Sequence, residues 1–230
     1  MQDFSYREID ELKRIGIKIT NDSEEKNNHI HLERTLLKTR EHIQLEINFD
    51  GINNNIIIRG NDIPKGKINH KGNNGFCDIY RENDLNIDAV LYENSRFFIK
   101  KSFSIFGLFA SIYSNTSIKI GNNCLIAEGV EMWTFDHHSI IDLSNNKQLN
   151  YPKDIVLNDH VWIGRNAHIS KGVNIGSGSI IAARSVVTKD VPKTEIWAGT
   201  PAKCIKKNVS WVASEPANEY DIEVMLKDIE

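Results

Sequence analysis

Aliphatic residues recur every six positions through the C-terminal half of the chain: Leu157, Ile163, Ile169, Ile175, Ile181 and Val187. The same period runs earlier through Ile120, Ile126 and Met132. Four residues after these positions stand small or modest side chains: Cys124, Val130, Val161, Ala167, Val173, Ser179 and Ser185. Three residues after them stand mostly Asn or Gly, at Asn123, Gly129, Asn166, Gly172 and Gly178, with His160 and Arg184 as exceptions. A period of six matches neither the 3.6 of a helix nor the 2 of a long strand. It matches a short strand followed by a corner, and a left-handed corner favours Gly or Asn. Three such flats make a coil, and stacked coils bury one continuous aliphatic column.

The pattern predicts an all-β fold of stacked hexapeptide coils over residues 40–200. Residues 40–117 read as less regular coils, with NNNIIIRGN and IYSNTSIKIG as strands with Asn or Gly corners. Residues 1–39 read as a helical cap and an irregular segment, with a capping box at Ser5 and Glu8 and an apolar face of Tyr6, Ile9 and Leu12. Residues 201–230 leave the prism and end in a short helix carrying Ile222, Met225 and Ile229 on one side. That helix is expected on the outside of the prism or on a neighbouring subunit.

Composition narrows the function classes. With 40% apolar residues the chain can bury a core, and no apolar run is long enough to span a membrane. The start, MQDFSYREIDELKR, is polar and unlike a signal peptide. Cys77, Cys124 and Cys204 form neither a disulfide framework nor a zinc pattern, which suggests a reducing, cytoplasmic setting. A net charge of −3 gives no general attraction to nucleic acid.

The strict period stops at Met132 and resumes at Leu157, leaving an excursion over 133–156 that contains Asp136, His137, His138 and Ser139. Interruptions of a regular scaffold are where function concentrates. A neutral imidazole suits proton abstraction near neutral pH. No Ser or Cys has a clear nucleophile setting, which favours direct transfer over a covalent intermediate.

The segments IGNNCL, IGRNAH and IGSGSI, with the run VWIGRNAHISKGVNIGSGSIIAARSVVTKDVPKTEIWAGTPAKCIKKNVSW, resemble the hexapeptide-repeat acyltransferases. The resemblance covers about Ile118 to Trp211 and points to the branch that O-acetylates bacterial surface sugars such as capsule, O-antigen and polysialic acid. It implies a left-handed parallel β-helix, acetyl-CoA as co-substrate, a saccharide acceptor, a homotrimer with sites between subunits, and no metal. It places the general base at His138 rather than His137. Asp136 would orient the imidazole, and a backbone N–H at a corner would hold the oxyanion. Trp133, His137 and Trp162 would line the acceptor or acetyl end. The cofactor groove would run past Ala182, Ala183 and Arg184, which replace the family's G-A-G motif, and past Thr188, Lys189, Pro201, Lys203, Lys206 and Lys207. Three alternatives stay open: an N-acetyltransferase for an amino-sugar nucleotide, a γ-carbonic-anhydrase-like zinc enzyme, and a domain serving assembly alone. The zinc enzyme would need His137 or His138 to converge with His160 or His168, each of which otherwise reads as surface.

Overall fold

The computed structural model describes residues 1–38 and 42–229, so the expected boundary at residues 39 and 40 lies partly outside the described residues, as does the side chain of Tyr6. The chain winds as a three-faced parallel β-helix, each face a ladder in which strands one coil apart pair in register. One interior column runs Leu32, Ile58, Ile79, Ile99, Ile120, Leu157 and Ile175. A second runs Ile47, Ile68, Ala89, Ala110, Met132, Ile169 and Val187. A third runs Leu85, Ile105, Ile126, Ile163 and Ile181. All of these side chains are buried. Each such burial is worth roughly 1.5–3 kcal/mol for the larger aliphatics, which is what holds the coils in stack.

The six-residue period reports only part of this stack. In the later coils a strand pairs with one 18 residues on, as Trp162 does with Ile180. In the coils from Leu45 to Ile120 the step is 20 or 21 residues, as Asn55 to Phe76 and Phe76 to Arg96 show, and at the N-terminal end it is 26 to 28, as His29 to Asn55 and Ile17 to Leu45 show. There, long strands replace pairs of short flats. Strand Ser104–Ile112 faces Leu85–Leu91 on one side, and on the other both Leu125–Ile126 and Val130–Trp133, which a corner at Gly129 separates. Parallel pairing also reaches back to Ile17–Thr20 against Leu45–Phe49. The coils thus start ahead of residue 40, because IKIT and HIHL alternate with the period of an ordinary strand.

Corners explain the abundance of asparagine. Asn53, Asn74, Asn94 and Asn115 all take positive φ, between 52° and 60°. The amides of Asn74, Asn94 and Asn115 form a ladder down one edge, with Asn74 donating to Asn94 at 3.1 Å and Asn94 to Asn115 at 3.2 Å, while Asn53 accepts from Asn27 at 3.0 Å. The other two corner rows are Asn123, His160 and Gly178, and Gly129, Asn166 and Arg184. His160 and Arg184 therefore adopt the left-handed backbone too, each at φ 58°. For a residue with a Cβ this costs ~1–2 kcal/mol, met here by the packing of the coil.

The ends close the prism. The capping box forms: Glu8 Oε2 accepts from the Ser5 N–H and hydroxyl, both at 2.8 Å. It opens into helix α1, Ile9–Arg14, which buries Leu12. At the other end an antiparallel hairpin, Glu195–Gly199 and Ala202–Lys207, adds to the last coil. Helix α2, Glu219–Ile229, docks on the chain's own prism: Asn123 donates to Asp228 at 2.9 Å, and Ile229 packs over Gly178. No helix among the described residues is long and apolar enough to cross a membrane.

Candidate active site

The excursion leaves the stack after Trp133 and rejoins it at Ile155, so that Ile118 pairs with a residue 37 positions on. Its neck is closed by the Lys153 N–H donating to the Thr134 carbonyl at 2.9 Å. Thr134 is fully buried, and its hydroxyl accepts from the Tyr113 N–H and exchanges a 2.8 Å bond with the Thr116 hydroxyl. Phe135 stacks on Tyr113 with ring centroids 4.5 Å apart. Beyond the neck, Ile141–Asp142 and Lys147–Gln148 form a small antiparallel hairpin.

His137 and His138 stand just past this anchor. His137 has φ 62°, and across it the His138 N–H donates to the Asp136 carbonyl at 2.7 Å. An i→i+2 bond around a left-handed residue is a rare and strained γ-turn. It swings the exposed His138 outward, beside a depression of about 210 Å³ lined by Tyr113, Phe135, Ser139 and Tyr151 among others. His137, exposed as well, lays its ring against the neck, 4.2 Å from Phe135 and 4.9 Å from Trp133 by centroid. Trp133 lies between His137 and His168, whose centroid is 5.6 Å from it, while His168 Nδ1 sits 3.5 Å from Glu131.

Asp136 faces away from the role of imidazole orienter. Its carboxylate accepts from Lys171 and, at 2.7 Å, from the Asn150 amide. Among the described residues no hydrogen bond joins it to either imidazole. Partial burial works against its ionisation, but the bonds from Lys171 and Asn150 outweigh that and hold its pKa below the usual range.

Trp162 is outward and 38% exposed, 6.0 Å from Trp211 by centroid. Within one chain it makes no ring contact with His138. His160, far from being a surface histidine, is buried under the C-terminal segment. It stacks on Trp211 at 4.4 Å and exchanges two bonds with it: His160 Nε2 with the Trp211 carbonyl at 2.8 Å, and Trp211 Nε1 donating to the His160 carbonyl at 2.9 Å. No trio of His, Cys, Asp or Glu side chains suited to a metal ion occurs among the described residues.

The residues expected for a nucleotide cofactor fall on the last coil and its hairpin. Ala182, Ala183 and Arg184 form the corner after Ile180–Ile181. The Ala182 N–H donates to the Trp197 carbonyl at 2.9 Å, and Ala198 beside it pairs with Lys203. That brings the Ala182 corner and Lys203 onto neighbouring strands. Thr188 and Lys189 follow Val187, exposed, and Pro201 sits at the hairpin turn. Lys207 pairs with Glu195 at 3.2 Å, and Glu195 also accepts from Trp197 Nε1 at 2.7 Å. No ion pair engages Lys189, Lys203 or Lys206 among the described residues.

Two further residues, Asn150 of the loop and Lys171 of the scaffold beside it, carried no sequence signal. Asn150 lies in the non-repeating excursion and Lys171 on an ordinary turn, so only the folded geometry connects them to Asp136.

The family model described as "Bacterial transferase hexapeptide (six repeats)" matches residues 154–189. The polysialic acid O-acetyltransferase of Escherichia coli O1:K1 is 35% identical over 142 residues, 62% of this chain and 46% of that protein, so the chain spans about half the length of that relative. The polysialic acid O-acetyltransferase of Neisseria meningitidis is 30% identical over 163 residues, 69% of this chain and 76% of that protein. The crystal structure of the polysialic-acid-specific acetyltransferase NeuO superposes with a TM-score of 0.74 at 28% identity, covering 92% of this chain and 98% of that one. Coil geometry, repeat and overall likeness thus agree that the chain is a left-handed β-helix and belongs to the hexapeptide-repeat transferase family that includes the polysialic acid O-acetyltransferases.

Proposed function

We propose that the chain moves an acetyl group from acetyl-CoA to a hydroxyl of a bacterial surface saccharide, with His138 as general base. The observation that carries this reading is the His138 excursion itself: a strained turn, anchored at its neck, on a solenoid that otherwise pairs coil by coil. The names of the Escherichia coli and Neisseria meningitidis relatives support the reaction class and a sialic-acid type of acceptor.

The chemistry follows from the groups present. A thioester carbonyl is already activated, whereas a sugar hydroxyl is a weak nucleophile. The neutral His138 imidazole takes the hydroxyl proton as the oxygen attacks the acetyl carbon. The tetrahedral oxyanion is met by a backbone N–H at a coil corner. Collapse breaks the C–S bond, and the imidazolium returns its proton to the departing thiolate. The products are the O-acetyl saccharide and free CoA. The Ala182–Arg184 corner with Thr188, Lys189, Pro201, Lys203, Lys206 and Lys207 holds the cofactor, and Trp133, His137 and Trp162 line the acceptor end. Trp162 lies off the His138 loop within one chain, and Phe106 and Phe109 are 46% and 37% exposed. Both facts support a homotrimer in which one subunit's His138 meets its neighbour's coil face.

The test is thiol release from acetyl-CoA with sialic acid, its oligomers, hexoses, N-acetylhexosamines and nucleotide sugars, for the wild type and His138→Ala. Acceptor-dependent release should fall by about 100-fold or more in the variant, the usual contribution of a general base. Release that is unchanged in the variant moves the base elsewhere. No release and no acetyl-CoA binding overturns the reading.

A further inference from the structure

The γ-turn that presents His138 is held shut by a single amide, that of Asn150. Its Nδ2 donates to Asp136 Oδ2 at 2.7 Å and to the His138 carbonyl at 2.8 Å, so one NH₂ group bridges both flanks of the left-handed His137. Its Oδ1 accepts from the Ile140 N–H at 2.7 Å. Each donor and the acceptor of this side chain is thus spent on residues 136–140, and none on its own neighbours in sequence. A strained backbone persists only where its surroundings over-determine it. Here the surroundings are Asn150 on the return limb of the loop and Lys171 on the scaffold below.

Lys171 completes the arrangement. It sits on the turn after His168–Ser170, next to Gly172, whose N–H donates to the Asp154 carbonyl at 3.0 Å where the loop rejoins the coil. Its side chain is 16% exposed, and its ammonium pairs with Asp136, whose side chain is 40% exposed. Charge-assisted bonds of this kind are stronger than neutral ones. The chain of contacts therefore runs from scaffold to Lys171, to Asp136, to Asn150, to the backbone at His138.

We infer that Asn150, seated on the Asp136–Lys171 ion pair, is the positioning residue that fixes His138 for proton abstraction. Asp136 then serves as the foot of this clamp, not as an imidazole partner. The catalytic half of this inference rests on the reading of His138 as general base, and the geometric half does not.

The experiment uses the full chain and four proteins: wild type, Asn150→Ala, His138→Ala and the double variant. Two readouts are taken. The first is acetyl transfer at saturating acetyl-CoA and acceptor. Asn150→Ala should lower kcat about 10- to 100-fold while changing KM for acetyl-CoA less than about twofold. In the His138→Ala background the same substitution should do nothing further, because a residue acting through another shows no separate effect once that one is gone. The second readout is deuterium uptake at the amides of residues 136–140. Asn150→Ala should speed it about 10-fold or more, and Lys171→Met should speed it by a smaller factor.

Full additivity of the two substitutions, or an unchanged kcat in Asn150→Ala, overturns the positioning role. Unchanged exchange in Asn150→Ala overturns the clamp even if activity falls. Faster exchange in a chain that transfers no acetyl group sinks the proposed function and leaves the clamp standing. Should Asn150→Ala fail to fold, Lys171→Met with Asp136→Asn carries the same comparison.

Discussion

A buried histidine outside the site makes stability sensitive to mild acid. His70 has no solvent exposure and occupies an interior position between Phe49 and Leu91 in the coil ladder. Its ring stacks on Phe49 at 5.4 Å, its Nε2 lies 3.9 Å from the Cys77 sulfur, and its Nδ1 has no hydrogen-bond partner. Burial lowers its pKa from 6.5 to about 3, while burial likewise pushes the Cys77 thiol up. The unfolded chain protonates this side chain as pH falls through 6.5, and the folded chain does so only near 3. Below 6.5 the unfolded state therefore binds the extra proton, and stability declines by roughly 1.4 kcal/mol per pH unit until about pH 3. Above 6.5 the group contributes no slope. Between pH 7 and pH 5 the loss attributable to His70 is about 2 kcal/mol, from the same linkage. The assay is urea unfolding of wild type and His70→Leu at both pH values and one protein concentration. Carboxylates titrate alike in both proteins, so the stability difference between them isolates His70. That difference should shift by about 2 kcal/mol in favour of the leucine variant at the lower pH. A difference that stays the same at pH 7 and pH 5 refutes the argument.

Further outcomes follow from the coil geometry and the lysines. In Gly164→Ala the new Cβ would lie 2.5 Å from the Ala183 nitrogen and 2.8 Å from the Ile181 carbonyl oxygen, both backbone; urea unfolding should show a loss of ~2 kcal/mol or more, since the coils must part. Asn94→Ala removes two rungs of the asparagine ladder and leaves a Cβ at φ 52°. It should cost ~1–2 kcal/mol, and Asn94→Gly, which relieves the backbone, distinctly less. Steady-state kinetics of Lys203→Ala and Lys206→Ala should show KM for acetyl-CoA raised about 3- to 10-fold, with kcat nearly unchanged and a weaker dependence on salt. An unchanged KM in both removes the hairpin lysines from the cofactor groove.

The coils were legible because each interior position repeats a demand. Ile163 and Ile169 announce themselves because an interior position falls due every six residues, on successive faces of the coil, and each face recurs 18 residues on. The earlier coils were harder to read because their strands span two faces without a tight corner, so Ile58, Ile79 and Ile99 recur at 21 and then 20 residues. The asparagines there read as corners, but that Asn74, Asn94 and Asn115 bond to one another along a stacked edge needs the third dimension to be seen. The site divided in the same way. His138 stood out by interrupting a period and by matching a family motif. Asn150 and Lys171 did not, because a clamp is defined by where a loop folds back, and no spacing rule encodes that. Asp136 lay in the right tetrapeptide, yet its partner is the lysine one coil below.

This division has a physical origin. The excursion leaves and re-enters the stack at positions already held together, with Thr134 bonded to Lys153 across the neck and to Thr116 inside it. Once those ends are fixed, lengthening the loop adds closure entropy only logarithmically, about 0.6 kcal/mol per doubling. The hairpin at its tip, with Leu143 89% exposed and Leu149 62% exposed, can therefore change in length and sequence with little effect on the coils. The residues between neck and hairpin have no such freedom, because the turn at His137 must be forced by its surroundings. On the reading of His138 as general base, such a loop would vary what it recognises at the tip while keeping the base fixed at the root. Substitutions in 141–149 should accordingly alter which acceptor is used, and substitutions at Thr134, Asp136, Asn150 or Lys171 should alter how fast any acceptor reacts.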